Sequence, residues 1–217
     1  MAILPQPLAA PAEVHGQAAP LQYSITFGYN GPFKAVARGL VPAVTQRRAV
    51  LDDPANEINT ALTTGRGIVI IPVEVSEGSN FARVSLFDGR TDGNDNLDLY
   101  LFDATGEFVS RSAGPTSNEE VNLTNPAPGQ YSAVVHGLET DGPDANFTLY
   151  SWVLGATRAG NMSVTAPPQA TLAKGATIGL SFSQLEPGVS YLGSVAYSGA
   201  PAMRESYYRA HRSLTRG

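Results

Sequence analysis

Apolar and polar residues alternate with period two along most of the chain. Ala82, Val84 and Leu86 alternate with Arg83, Ser85 and Phe87, and Leu97, Leu99 and Leu101 alternate with Asp98, Tyr100 and Phe102. Phe147, Leu149 and Ser151 alternate in the same way with Thr148, Tyr150 and Trp152. Such alternation sends successive side chains to opposite faces of a strand. Turn signals interrupt the runs at Asp88-Gly89, Asp92-Gly93, Thr105-Gly106, Pro128-Gly129, Asp141-Gly142-Pro143 and Pro187-Gly188. The pattern predicts strands over 22–28, 33–39, 67–76, 81–88, 97–103, 107–112, 119–123, 130–137, 145–154, 161–165, 175–183 and 191–197.

Within that frame, Ile68 to Ile71 is an unbroken β-branched run, so its strand is expected to be central and covered on both faces. The inward face of the 66–157 block is expected to include Ile68, Ile70, Val84, Leu86, Leu99, Leu101, Val135, Phe147 and Leu149. Residues 97–112 read as a hairpin around Asp103-Ala104-Thr105-Gly106, and 22–39 as another around Asn30-Gly31-Pro32. Residues 161–197 read as a three-stranded meander. One segment looks helical, with Asp53 as cap, Pro54 at the first position, and Ile58, Ala61 and Leu62 on one side.

The fold class expected is therefore all-β, built of antiparallel sandwich units. Residues 1–20 are Pro/Ala-rich without a basic start and read as a linker rather than a signal peptide. Residues 66–157 carry the densest strand signal, while 21–48 and 158–200 flank it more sparsely. Each flank alone is too small to bury a core, so the two are expected to form one discontinuous sandwich, with the 66–157 block inserted in it or packed on it. Residues 203–217 carry Arg204, Arg209, Arg212 and Arg216 and read as a basic tail.

Composition narrows the chemistry. Only 15% of residues are charged and the net charge is -5, which argues against a nucleic-acid or anionic-membrane partner. No apolar run reaches the length of a membrane span. With no cysteine, disulfides, thiol nucleophiles and thiolate metal sites are excluded. Of the three histidines, His15 falls in the expected linker and His211 in the tail. That leaves His136 near the end of a strand, where it is expected to sit half in water. No Gly-x-Ser-x-Gly elbow, His-x-x-x-His pair or phosphate-binding glycine loop accompanies it. No catalytic residues are assigned.

The acidic stretch Asp88, Asp92, Asp95, Asp98 and Asp103, with Asn94 and Asn96, is the one candidate metal site. Calcium takes six to eight oxygens from a flexible loop, and Asp88, Asp92, Asp95 and Asp98 are its candidate ligands here. The same residues are also those that turns favour, and no EF-hand spacing is present. Asp98 lies within a strand and is expected to pin a loop through the loop's backbone N–H groups. A second candidate surface is aromatic. Tyr100, Phe102, Tyr150 and Trp152 can share one sheet face, where they would either be core or form a strip for carbohydrate or peptide stacking.

The stretch Asn96-Leu97-Asp98-Leu99-Tyr100-Leu101-Phe102-Asp103-Ala104-Thr105-Gly106, followed by Val109-Ser110-Arg111-Ser112 and Pro128-Gly129-Gln130-Tyr131, resembles bacterial pre-peptidase C-terminal domains. Asn96 stands where that family often has aspartate, which weakens any cation site inferred from relatives. The flanks Phe27-Gly28-Tyr29-Asn30-Gly31-Pro32-Phe33, Ser151-Trp152-Val153-Leu154-Gly155 and Leu185-Glu186-Pro187-Gly188 resemble the C-terminal region of secreted bacterial subtilisin-like serine peptidases. The resemblance covers about residues 11–200. It implies a jelly-roll-like sandwich beside an immunoglobulin/fibronectin-III-like one, a secreted parent protein, and an upstream subtilase catalytic domain as partner. The protease's own Asp-Ser-Gly, His-Gly-Thr and Gly-Thr-Ser-Met motifs are absent. A non-catalytic accessory region, engaging a protein or polysaccharide substrate or a surface, or supporting folding or solubility, is the expected function. A free-standing carbohydrate- or protein-binding module is the alternative.

Overall fold

The computed structural model describes residues 7–17, 20–156, 159–199 and 206–211. Its strands begin with β1 (Leu8–Ala9), β2 (Glu13–Gln17), β3 (Leu21–Phe27), β4 (Gly31–Pro32) and β5 (Lys34–Pro42). They continue with β6 (Val44–Leu51), β7 (Ile68–Val75), β8 (Ser79–Ser85), β9 (Asn96–Phe102), β10 (Phe108–Ser112), β11 (Glu120–Thr124), β12 (Gly129–Glu139) and β13 (Asp144–Gly155). The last are β14 (Met162–Thr165), β15 (Gln169–Ala170), β16 (Gly175–Phe182), β17 (Ser190–Ser198) and β18 (Ser206–His211). One helix, α1 (Ile58–Thr64), precedes β7. The fold is all-β and antiparallel, apart from the parallel pair β2–β18. The chain divides into two compact units, one of Met1–Ala43 with Leu154–Gly217 and one of Val44–Val153.

The Val44–Val153 unit is an eight-stranded sandwich of two sheets, β10-β9-β12-β7 and β11-β8-β13-β6. Each sheet interleaves early and late strands of the unit. The sheets close on one core that includes Leu99, Leu101, Val135, Ile71 and Val73 from the first, and Val84, Phe147, Leu149, Val121 and Val50 from the second. Full burial of each such side chain is worth about 1.5–3 kcal/mol. The 9–10 turn is held by Asp103, whose carboxylate accepts from the backbone N–H of Thr105 and of Glu107, while Gly106 takes a positive φ of 85°.

Three expectations for this unit change. β7 is an edge strand rather than a central one, and Ile71, Val73 and Val75 are its buried residues while Ile70 is 59% exposed. The β-branched run gives no phase, and the core takes the face opposite to Ile68 and Ile70. α1 begins later than Asp53, capped by Glu57, whose carboxylate accepts from the N–H of Asn59 and Thr60, with Ala61 buried. Asp53 is committed elsewhere, as described below. β6 was not expected as a strand, because only Val50 along it is buried. It nevertheless pairs with β13 from Val44 to Leu51.

The other unit has the sheets β1-β3-β16-β14 and β2-β18-β17-β5, with the short pair β15-β4. Its core joins Tyr23, Ile25, Phe27, Ile178 and Leu180 of one sheet to Leu40, Tyr191, Val195 and Tyr197 of the other. The Tyr23 and Tyr197 hydroxyls meet at 2.5 Å across it. β3 pairs with β16 and β5 with β17, so 22–39 is not a hairpin and 161–197 is not a single meander. The chain crosses between sheets from β3 to β5 and from β16 to β17, which buries two apolar faces where a hairpin would bury one. Within the expected linker, β1 pairs with β3 and β2 pairs with β18, which itself lies in the expected basic tail. The Ser206 hydroxyl donates to the Pro11 carbonyl at 2.7 Å, and Arg209 lies 3.6 Å from Glu13.

Candidate functional site

The acidic residues of the 88–103 stretch do not converge on one point. Asp88 opens a 3-10 turn (Asp88–Arg90), and its Oδ2 accepts from the Asn118 amide. Asp92 turns both oxygens to Asn146, accepting from its N–H at 2.7 Å and its Nδ2 at 2.6 Å. Those bonds hold the Asp92 carboxyl below the usual carboxylate range. Asp95 accepts from the Asp141 N–H at 3.1 Å, and Asp141 in turn accepts from the Asn94 N–H at 2.8 Å. Asp98 lies inside β9, away from the loop that carries the others.

Asp88 and Asp95, with Asn94 and Asn96, do line one cavity of about 350 Å³, together with Glu139 at the end of β12 and Thr140 and Asp141 of the loop that follows. Sequence reasoning did not include Glu139 or Asp141, because nothing in their spacing relates them to a loop some 45 residues earlier. Asp88 Oδ1, Asp95 Oδ2 and Asn96 Oδ1 are buried there without a hydrogen-bond donor. Burial first, and then the charges of Asp141 and Asp92, raise the Asp95 pKa above its ordinary value. Oxygens in such a state favour a proton or a hard cation. Among the described residues, however, no three acidic or histidine side chains are arranged as a metal-ligand set.

The most heavily buried titratable side chain among the described residues lies beneath the segment between β6 and α1. His136 is wholly buried in mid-strand, paired to Ile68 on one side and to Asp98 on the other, not half in water. Its Nε2 is 2.9 Å from Asp53 Oδ2, and its Nδ1 is 3.9 Å from Asp98 Oδ2. The longer distance is an attraction between charges rather than a hydrogen bond. Asp98 accepts from the Tyr100 hydroxyl at 3.1 Å. Burial and then the Asp98 charge push the Tyr100 phenol up to about 12. Burial works against a charge on His136, but the two carboxylates outweigh it and raise the pKa above 6.5. Burial likewise opposes ionisation of Asp53, yet its bonds to His136 and to the Glu57 and Ala55 N–H groups hold the carboxyl below 3.8.

Loop pinning, expected of Asp98, is therefore carried out by Asp53 with His136 as its anchor. The Asp53 carboxylate accepts from the N–H of Ala55 at 3.1 Å and of Glu57 at 3.0 Å. The backbone closes the same contact, with the Asp53 N–H donating to Gly137 and the Gly137 N–H to Gly67. A Cβ on Gly67, which has φ +69°, would sit 2.5 Å from Asp53 Cβ, so only glycine admits this approach. Among the described residues the group has no serine as a hydrogen-bond partner, and Asp53, Asp98 and His136 are all buried. Its chemistry is that of a structural ion pair.

The four aromatic residues separate. Tyr100 and Phe102 belong to β9, while Tyr150 and Trp152 belong to β13 in the other sheet. Tyr100 and Trp152 are buried, Tyr150 stacks on Trp152 at 5.9 Å between centroids, and Phe102 meets Phe108 edge-on. They do not make one open strip.

Comparison with known proteins bears on the same unit. Residues 70–137 match the family model of the bacterial pre-peptidase C-terminal domain. Pyrolysin of Pyrococcus furiosus is 38% identical over 82 residues, which are 38% of this chain and 6% of pyrolysin. The chain thus aligns with only a small part of that relative's length.

Proposed function

Since this chain carries a pre-peptidase C-terminal domain and resembles the C-terminal region of subtilisin-like serine peptidases, we propose that it is a non-catalytic accessory region of a secreted protease of that kind. The match of residues 70–137, in the middle of the eight-stranded sandwich, is the observation that carries this reading. The burial of His136 between two carboxylates supports the absence of hydrolytic chemistry, because a triad histidine must reach an exposed serine. Its partner is an upstream subtilase catalytic domain, and its place of action is extracellular. No helix among the described residues is long and apolar enough to cross a membrane. Its work is to engage a protein substrate or a surface and to support folding of the parent protein. The fibronectin-III-like character of the Met1–Ala43/Leu154–Gly217 unit belongs to the same reading.

The carbohydrate-binding alternative gains nothing from the aromatic residues, which lie on two sheets with Tyr100 and Trp152 buried. The test is twofold. The reading frame upstream is expected to encode a subtilase catalytic domain, and the chain alone is expected to leave casein uncleaved. Turnover abolished by His136→Ala, or an upstream frame encoding an unrelated protein, would overturn the proposal.

A further inference from the structure

We propose that an arginine-walled groove on the Val44–Val153 unit docks an extended, carboxylate-rich polypeptide segment. This goes beyond the accessory role and does not depend on a link to a peptidase. The unit is acidic, with sixteen aspartates and glutamates against six arginines and no lysine. Three of those six, Arg47, Arg48 and Arg90, nonetheless line one groove of about 580 Å³. Arg47 and Arg48 come from β6 on one side of β13, with Arg47 opposite Thr148. Arg90 ends the 3-10 turn, and the adjoining Thr91 bridges to Phe147. Asn146 and Thr148 of β13 line the groove with them.

All three arginines are exposed, and none takes part in an ion pair among the described residues. Arg48 donates only to neutral oxygens, the Arg47 carbonyl at 2.7 Å and Gln46 Oε1 at 3.1 Å. The one carboxylate in the groove, Asp92, spends both oxygens on Asn146. Three guanidinium forks left without counter-charges suit carboxylates, which they bind in bidentate fashion.

Other anions fit less well. Three arginines neutralise too few phosphates to hold a polyphosphate backbone. Sugar chains stack on aromatic rings, but the one aromatic side chain in the groove, Phe147, is 3% exposed. An extended peptide has a further point of attachment. β6 is the edge strand of its sheet, so the row of backbone N–H and C=O groups on its side away from β13, beyond Arg47 and Arg48, is open to strand addition.

The test is fluorescence anisotropy on the full chain. The probe is a labelled synthetic peptide alternating glutamate with threonine, and the control is the same peptide with glutamine for glutamate. The glutamate peptide is expected to bind and to weaken with added salt, and the glutamine peptide is expected not to bind. Arg47→Gln and Arg90→Gln are each expected to weaken binding by about tenfold, the loss of one charge-assisted contact. Arg111→Gln, on β10 in the other sheet, is expected to leave binding unchanged. Equal binding of the glutamine peptide, equal losses with Arg111→Gln, or no loss with Arg47→Gln and Arg90→Gln would each overturn the proposal. So would binding of polygalacturonate or an oligonucleotide in place of the peptide.

Discussion

Replacing Asp53 with asparagine probes the buried His136 contact directly. The carboxylate has three partners, His136 Nε2 at 2.9 Å and the N–H groups of Ala55 at 3.1 Å and Glu57 at 3.0 Å. An amide keeps one acceptor oxygen for the loop but removes the charge opposite the imidazolium. One charge-assisted bond is worth about 1.5–3 kcal/mol. Removing one partner of a buried pair costs about 3–5 kcal/mol, since the other charge stays buried. Asp98 at 3.9 Å compensates in part, so the lower end, about 3 kcal/mol, is expected. The cost depends on pH with a definite sign. His136 has a raised pKa, so its contribution is complete below 6.5 and fades as pH rises through the higher folded value. Asp53 has a lowered pKa, so its contribution is complete above 3.8 and fades as pH falls through the lower folded value. The pair thus stabilises most between those two ordinary values. Urea unfolding of the parent chain and of Asp53→Asn, at about pH 5 and about pH 8.5, reads this directly as a difference larger at the lower pH. A difference under about 1 kcal/mol at pH 5, or one that does not shrink at the higher pH, would refute the assignment of a charged His136.

The core and the acidic cavity give three further expected outcomes. Leu99→Ala, at a fully buried position, is expected to cost about 2–5 kcal/mol. Ile70→Ala, at a position 59% exposed, is expected to cost under about 0.5 kcal/mol, and equal costs in urea unfolding would invert the face assigned to β7. Because no three acidic side chains among the described residues form a ligand set, EDTA and calcium are expected to leave the melting temperature unchanged. A rise of several degrees with calcium, abolished by Asp95→Asn, would make the Asp88/Asp95 cavity a cation site.

Periodicity was sufficient for the strands that bury a full face. β8, β9, β12 and β13 were legible because each presents regularly spaced apolar residues to a core, as Leu99 and Leu101 do. The 103–106 turn was legible because Asp103 satisfies nearby N–H groups through its own side chain, a local interaction. The motif around Leu97 to Phe102 also pointed to the family that residues 70–137 match. Phase was not legible in β7, where four β-branched residues in a row offer a core on either face. Strands stabilised by a partner rather than by burial were invisible. β6 buries only Val50 and exists because β13 receives it, and β2 and β18 hold each other across almost the whole chain. The candidate sites failed to be read for the same reason. Asp53 and His136 are 83 residues apart, and Asp95 meets Asp141 across 46. Local sequence determines which segments extend and turn, because those energies come from neighbours within a few residues. Which acid faces the histidine, and which arginines share a groove, was decided only when the sheets closed and brought distant strands side by side.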